Sequence, residues 1–273
     1  MDIKTLCNQV DLQAEIKNKV LAFAEHFDFT LIEKQLNSFL IYENMEKSRK
    51  ELQTILGTDH DRIKMLACML KASADAWEIY QEKGICDEIY FSTMKCYTRF
   101  IDETYQRTGR LYFDRDWWTT RQAGCHLFRI GTLEYEMNRH GNETDIELHI
   151  PSDADFSPSA VDRSLENAGT FFRKYYPETG HAKYCCHSWL LDSQLRKMLT
   201  AESNIIRFQN RFTIYDAGEA DPEFVEWVFP KNAADQTDYA AFPEDTSLRR
   251  NMKKHLLSGG IIRSSCGMLK TAP

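Results

Sequence analysis

Ile146-Glu147-Leu148-His149-Ile150-Pro151, then Ser157-Pro158, then Tyr184-Cys185-Cys186-His187-Ser188-Trp189-Leu190-Leu191 are the residues whose reading decides the fold. Ile146, Leu148 and Ile150 alternate with Glu147 and His149, the period of two of a half-buried strand, and Pro151 stops it. Ser157 as N-cap and Pro158 at the first helical position open a helix, because proline there gives up an N–H that has no partner anyway. Val161, Leu165, Ala168, Phe171 and Phe172 recur at helical spacing, and Pro177 and Gly180 end the run. Lys183 to Leu191 reads as a second, largely buried strand. Two strands joined by one helix lie parallel with a right-handed crossover, and the loop before the helix faces a ligand-sized opening at its N-terminus.

Upstream, Leu133, Tyr135 and Met137 alternate with Thr132, Glu134 and Glu136, and Asn138 to Asp145 is a turn. The chain is thus expected to return into Ile146–Ile150 as an antiparallel neighbour. A turn centred between Gly141 and Asn142 sets Glu134 opposite His149 and Glu136 opposite Glu147. The first hundred residues carry apolar faces at helical spacing, among them Ile16, Val20 and Phe23, then Ile63, Leu66, Met69 and Leu70. Five helices are expected there, one capped by Asp11, one spanning Phe29–Tyr42, and others ended by Gly57, Gly84 and Gly109. Downstream, Asp192 caps a short helix, and Ile205–Tyr215 and Phe224–Phe229 after it read as strands. Helices followed by a mixed sheet make an α+β plan, with an all-helical domain at 1–115 and a mixed-sheet domain flanked by helices at 116–273.

Composition removes several function classes. Thirty-four basic against 41 acidic residues leave a net charge of −7, which argues against a nucleic-acid partner. The start of the chain lacks a signal-peptide pattern, and no run reaches the length of a membrane span. Eight cysteines without any C-x-x-C pair speak against a structural metal and are expected as reduced thiols of a cytoplasmic protein.

Leu127-Phe128-Arg129-Ile130-Gly131-Thr132-Leu133-Glu134-Tyr135-Glu136-Met137, His149-Ile150-Pro151, Cys186-His187-Ser188-Trp189-Leu190-Leu191-Asp192 and Ser203-Asn204-Ile205-Ile206-Arg207-Phe208 resemble the C-terminal domain of GNAT-like acyltransferases with a separate helical N-terminal domain. The resemblance spans nearly the whole chain. It implies a mixed sheet splayed open between the strands holding Ile146–Ile150 and Lys183–Leu191, with acetyl-CoA or another acyl-CoA in the cleft. The activity it implies is acyl transfer to a small-molecule amine or peptide acceptor. On this mapping Ile150, Ser152, Ser157, Ser159 and Ser188 line the CoA. The phosphate loop departs from the family pattern, being Ser152-Asp153-Ala154-Asp155-Phe156-Ser157 with no glycine. A carboxylate about 4 Å from a phosphate charge costs up to ~4 kcal/mol at an effective dielectric of 20, so Asp153 and Asp155 must point away for CoA to bind well.

Acyl transfer to an amine needs a base, a donor for the oxyanion and an acid for the thiolate. His149 supported by Glu134 is the candidate base, against an ordinary cross-strand polar pair on a solvated face. His187, near the C-terminal end of its strand, is the second catalytic candidate, against a buried histidine satisfied by main chain. Ser188 offers a hydroxyl to the thiolate or pantetheine, and Arg207, Gln209 and Arg211 form a row that either lines an acceptor site or faces solvent. Two other readings compete. One is a cysteine-dependent hydrolase; Cys186 and His187 point to opposite faces of a strand, whereas Cys185 and His187 share one. The other is a non-catalytic module whose altered phosphate loop no longer binds CoA.

Overall fold

The computed structural model describes residues 1–140, 143–232, 237–271 and 273. The chain divides into two compact units, Met1–Ile130 and Gly131–Pro273. No described helix is long and apolar enough to cross a membrane.

Unit 1 is helical: α1 (Ile3–Gln9), α2 (Ala14–His26), α3 (Glu33–Asn37), α4 (Met45–Leu56), α5 (Ile63–Lys83), α6 (Asp87–Met94), α7 (Cys96–Thr108) and α8 (Asp116–Ala123), closed by β1 (Leu127–Ile130). Its centre is α5, whose Leu66, Ala67, Cys68, Met69 and Leu70 are all buried because neighbours pack around it on every side. Gly57, Gly84 and Gly109 end helices as read, Gly84 and Gly109 in the left-handed conformation that glycine adopts without strain. Asp11 does not cap α2: it sits at φ +55, and Gln13 holds the cap position. The single helix expected over Phe29–Tyr42 breaks into 3-10 turns around the short α3. Likewise the fifth predicted helix divides at Lys95 into α6 and α7. The aromatic connector after Gly109 contains α8, which unit 1 retains because Asp116 is 3% exposed and bound by Arg49 (2.7 Å) and Gln53 (3.0 Å). The two compact units divide the chain at Ile130/Gly131.

Unit 2 contains β2 (Leu133–His140), β3 (Glu143–His149), α9 (Pro158–Tyr175), β4 (Tyr184–Ser188), α10 (Leu195–Met198), α11 (Asn204–Gln209), β5 (Phe212–Asp216), α12 (Phe224–Val228), α13 (Ser247–Leu257) and β6 (Ser265–Leu269). The strand order is β2-β3-β4-β6-β5. Only the β3–β4 pairing, bridged by α9, is parallel; β2–β3, β4–β6 and β5–β6 are antiparallel. The sheet is mixed, as expected. Leu133, Tyr135, Met137, Ile146 and Leu148 fill one face, and α9 brings Val161, Leu165, Ala168, Phe171 and Phe172 into the same buried core. Ser164 of α9 fixes the docking, accepting from Leu133 N–H (3.2 Å) and meeting the Tyr135 hydroxyl (2.9 Å). A second core gathers Trp189, Leu190, Leu195, Phe224, Val225, Phe229, Phe242 and Met252.

Two predicted strands are wrong. Ile205–Tyr215 is α11 followed by β5, and Phe224–Phe229 is the helix α12. The alternation misled because Ile206 and Phe208, on nearly opposite sides of a short helix, are both buried, and Gln209 points inward to the carbonyls of Leu190 and Asp192. The supposed row of Arg207, Gln209 and Arg211 therefore does not exist. Gln209 is fully buried, and Arg211 pairs with Asp162 (2.5 Å) and donates to the Pro158 carbonyl (3.3 Å). The second strand of the central unit is also shorter than read, since Trp189–Leu191 is a 3-10 turn. The expected turn centre at Gly141–Asn142 lies outside the described residues.

Candidate active site

The antiparallel register of β2 and β3 is the one that the sequence implies: Glu134 faces His149, and Glu136 faces Glu147. Between β3 and β4 only Ile146↔Tyr184 and Glu147↔Cys185 are paired. Beyond that point β3 continues on β2, through Leu148↔Tyr135 and His149↔Glu134, while β4 continues on β6, through His187↔Cys266 and Ser188↔Ser265. The sheet therefore parts after Glu147 and Cys185. His149 stands on one bank of the opening and His187 with Ser188 on the other.

His149 Nε2 is 2.9 Å from Glu136 Oε2. Glu136 is thus a partner of the imidazole that the straight-across pairing does not name. Long side chains on a twisted antiparallel pair meet diagonally as well as straight across, and here the imidazole takes the diagonal. Glu134 and Glu136 are each 2% exposed, so this is no solvated face. Asn138 donates to Glu147 Oε2 (3.0 Å), which steadies the carboxylate beside the dyad. Donor atoms of Glu136, Glu147 and His149 lie within 4.8 Å of one another. A proton shared by imidazole and carboxylate satisfies that spacing, and so would a divalent cation with one nitrogen and two oxygen ligands.

His187 is exposed on β4, which removes the reading of a buried histidine satisfied by main chain. Ser188 accepts from Leu190 N–H (3.1 Å) and so caps the turn that follows it. Asp192 caps as expected, accepting from Gln194 N–H (2.8 Å), and its other oxygen accepts from Arg263 N–H (2.7 Å). Ile150 packs with Phe156 against the second core, while Ser152 and Ser159 are exposed.

The loop before α9 is tied down from within. Ala154 N–H donates to the Pro151 carbonyl (3.0 Å), and the Thr132 hydroxyl donates to the Asp155 carbonyl (3.0 Å). Ser157 holds the N-cap position, but its side chain makes no cap bond. Instead its own N–H donates to Asp155 Oδ1 (2.9 Å), and that bond holds the Asp155 carboxyl below its ordinary range. Pro158 has no N–H, and those of Ala160 and Val161 turn back to the Ser157 carbonyl. Of the first-turn amides, Ser159 N–H makes no hydrogen bond among the described residues. Asp155 is thus an ionised carboxylate turned onto the helix start, where a family phosphate loop would present glycine amides.

The cysteine-based alternative loses its nucleophile. Burial pushes the Cys185 thiol up to about 12 and holds Cys186 well above its ordinary value. At pH 8 such a thiol is ionised in roughly one molecule in ten thousand, too little for a nucleophile. Alkylation by iodoacetamide at pH 8 is expected to mark the exposed Cys86 first, with Cys185 labelling rising only as pH climbs toward 12. Peptide mapping by mass spectrometry checks this; rapid selective labelling of Cys185 at pH 8 would reinstate the hydrolase.

Two family models cover the chain. The N-acyltransferase N-terminal domain matches residues 1–125, and the GNAT-like C-terminal domain matches 127–269. No curated protein matches. Among solved structures, an acyltransferase in complex with decanoyl-CoA and teicoplanin superposes with TM-score 0.80 at 23% identity, over 98% of this chain and 87% of the other. A mutant acyltransferase in complex with octanoyl-CoA gives 0.80 at 22% identity, and an acyltransferase in complex with decanoyl-CoA gives 0.79 at 18%, each with the same coverage. At these identities the superpositions establish the fold. By the match that spans more than half its length, this chain belongs to the GNAT-like C-terminal domain family.

Proposed function

We propose that this protein is an acyl-CoA-dependent N-acyltransferase that works by direct attack of an amine on the thioester. The observation that carries the reading is the parting of β3 from β4 with the His149–Glu136 dyad on its rim, in a chain of this family. His149 takes a proton from the acceptor ammonium, and the freed amine nitrogen bonds to the thioester carbonyl carbon. The C–S bond then breaks, an amide remains, and CoA leaves as the thiol after taking up a proton. Glu136 orients the imidazole and balances the positive charge it gains. His187 faces the same opening and is placed to meet the leaving group, and Ile150, Ser152, Ser159 and Ser188 border the cosubstrate path.

The acyl group need not be acetyl. The structural relatives were captured with octanoyl-CoA and decanoyl-CoA, so medium-chain acyl-CoA is the cosubstrate to test beside acetyl-CoA, and a teicoplanin-type amine is the first acceptor. The test combines thermal shift and turnover. The protein is mixed with acetyl-, octanoyl- or decanoyl-CoA, with and without teicoplanin, and free CoA and acylated product are measured by chromatography and mass spectrometry. At 100 times Kd a ligand stabilises the folded state by about 2.7 kcal/mol, a clear rise in Tm. Failure of every acyl-CoA to raise Tm would defeat the proposal. That same failure would favour the non-catalytic module, which the Asp155 carboxylate at the helix start supports.

A further inference from the structure

Of the three glutamates around His149, Glu147 is the one within reach of a substrate. Glu134 and Glu136 are each 2% exposed, whereas Glu147 is half-buried, on the same face of β3 as His149. It is also the last residue of β3 that pairs with β4, through Cys185, so it stands where the sheet parts. Asn138 holds its Oε2 at 3.0 Å. Among the described residues the other oxygen accepts no hydrogen bond, and no lysine or arginine pairs with the carboxylate. One oxygen nevertheless lies within 4.8 Å of a ring nitrogen of His149 and of a Glu136 oxygen. Its charge reaches β4 and β6. Burial first, with Glu147 among the charges adding to it, pushes up the thiols of Cys185, Cys186 and Cys266.

An aliphatic amine arrives at neutral pH as an ammonium with N–H donors and no acceptor, and it needs a counter-charge until a base takes its proton. A carboxylate with an oxygen to spare, steadied by an amide and set beside the base, meets that need. Charge-assisted hydrogen bonds run to about 2.8 Å, so one ammonium nitrogen can bridge a Glu147 oxygen and a His149 nitrogen that lie within 4.8 Å of each other. We propose that Glu147 receives the acceptor as its ammonium, in reach of His149, and so selects aliphatic amines over arylamines and alcohols, a role that rests on the acyl-transfer reading above. The nitrogen regains positive charge as it bonds to the carbonyl carbon. Glu147 therefore serves the bound acceptor and the transition state alike, which lowers KM and leaves kcat nearly untouched.

Two measurements read this. With decanoyl-CoA and teicoplanin, Glu147→Gln, which keeps an oxygen for Asn138, is expected to raise the acceptor KM by about tenfold or more, with kcat and the KM for decanoyl-CoA within about threefold of wild type. Asp145→Asn removes a half-buried carboxylate from the same face of β3 and controls for a general loss of negative charge; it should move the acceptor KM by less than about threefold. The second measurement needs no turnover. Protein carrying ¹³Cε1-histidine is freed of metal with EDTA and titrated at constant pH with benzylammonium and, separately, with benzyl alcohol, the His149 signal being assigned through His149→Gln. Benzylammonium is expected to shift that signal saturably and benzyl alcohol to leave it, with Glu147→Gln raising the benzylammonium Kd by about tenfold or more. If teicoplanin is not acylated, the acyl-transfer reading fails on the first measurement, while the second still decides whether Glu147 binds an ammonium. Equal Kd values for wild type and Glu147→Gln, an equal response to benzyl alcohol, or matching acceptor KM values overturn the proposal. So does stoichiometric zinc in the protein as purified, because an ion held by Glu136, Glu147 and His149 would take the place of the ammonium.

Discussion

His149→Gln is expected to lower the rate of acyl transfer by about 10²–10⁴-fold, with acyl-CoA binding nearly intact. Loss of a positioned general base costs that much, because the acceptor ammonium must then lose its proton to water. Glutamine is the better variant than alanine. Glu136 is 2% exposed, and alanine would leave its carboxylate without the partner now 2.9 Å away, at a cost of ~1–3 kcal/mol of stability that would blur the result. The two glutamates then separate by geometry. Glu136→Gln retains a hydrogen-bonding group near the imidazole but cannot offset its charge, and should slow turnover by roughly ten- to a hundredfold, a step of about 1.4–2.7 kcal/mol. Glu134→Gln, directly across the ladder from His149, should fall short of that loss, because Glu136 is the carboxylate seen 2.9 Å from the imidazole. Single-turnover acyl transfer, with CoA affinity measured alongside, reads all three. A His149→Gln variant that transfers within threefold of wild type would remove the base assignment.

What could be read from the residues alone was the ladder, and what could not was the side-chain path across it. Period-two alternation from Leu133 to Met137 and from Ile146 to Ile150 has one register that buries every apolar residue, because a slip by one would turn them all to the other face. The register of Glu134 with His149 followed from that constraint. Whether an imidazole also reaches diagonally depends on strand twist and rotamer, which leave no trace in the spacing, so Glu136 was visible as a neighbour but not as a hydrogen-bond partner. The same limit explains Ile205–Tyr215. Six residues can satisfy a helical and a strand period at once, and the choice was made by tertiary bonds from Gln209 to Leu190 and Asp192 that lie nearly 20 residues back in the chain. The glycine-free loop was legible as a departure, and its two aspartates as a difficulty for phosphate. That Asp155 turns onto Ser157 N–H, and so occupies the helix start itself, required coordinates.

Gly218→Ala is expected to be among the most destabilising single-methyl changes in the chain. Segment 216–221 is stitched to 262–265 by Asp216 accepting from Gly218 N–H (2.8 Å), Arg263 donating to the Gly218 carbonyl (3.1 Å), Ser265 donating to the Ala217 carbonyl (3.0 Å) and Ser264 donating to Asp221 (2.7 Å). Gly218 lies at φ +65, and a Cβ there would stand 1.8 Å from the main-chain oxygen of Ser264. Main chain cannot rotate away as a side chain can, so the start of β6 must move. The left-handed conformation alone costs alanine about 1–2 kcal/mol. With the clash the total should reach about 3–5 kcal/mol, a large fraction of the 5–15 kcal/mol that ordinarily holds a domain together. Gly259 is the control, since it sits at φ +82 with nothing within 4 Å of its added Cβ, so Gly259→Ala should show the strain without the clash. Urea unfolding of both variants isolates the steric part as their difference; equal losses would mean that Ser264 yields freely. The consequence reaches the opening in the sheet, because Ser265 of β6 pairs with Ser188 of β4 on the bank opposite His149. A shifted β6 should therefore weaken acyl-CoA binding as well as stability, whereas the Gly259→Ala protein, strained but unshifted, should bind as wild type does.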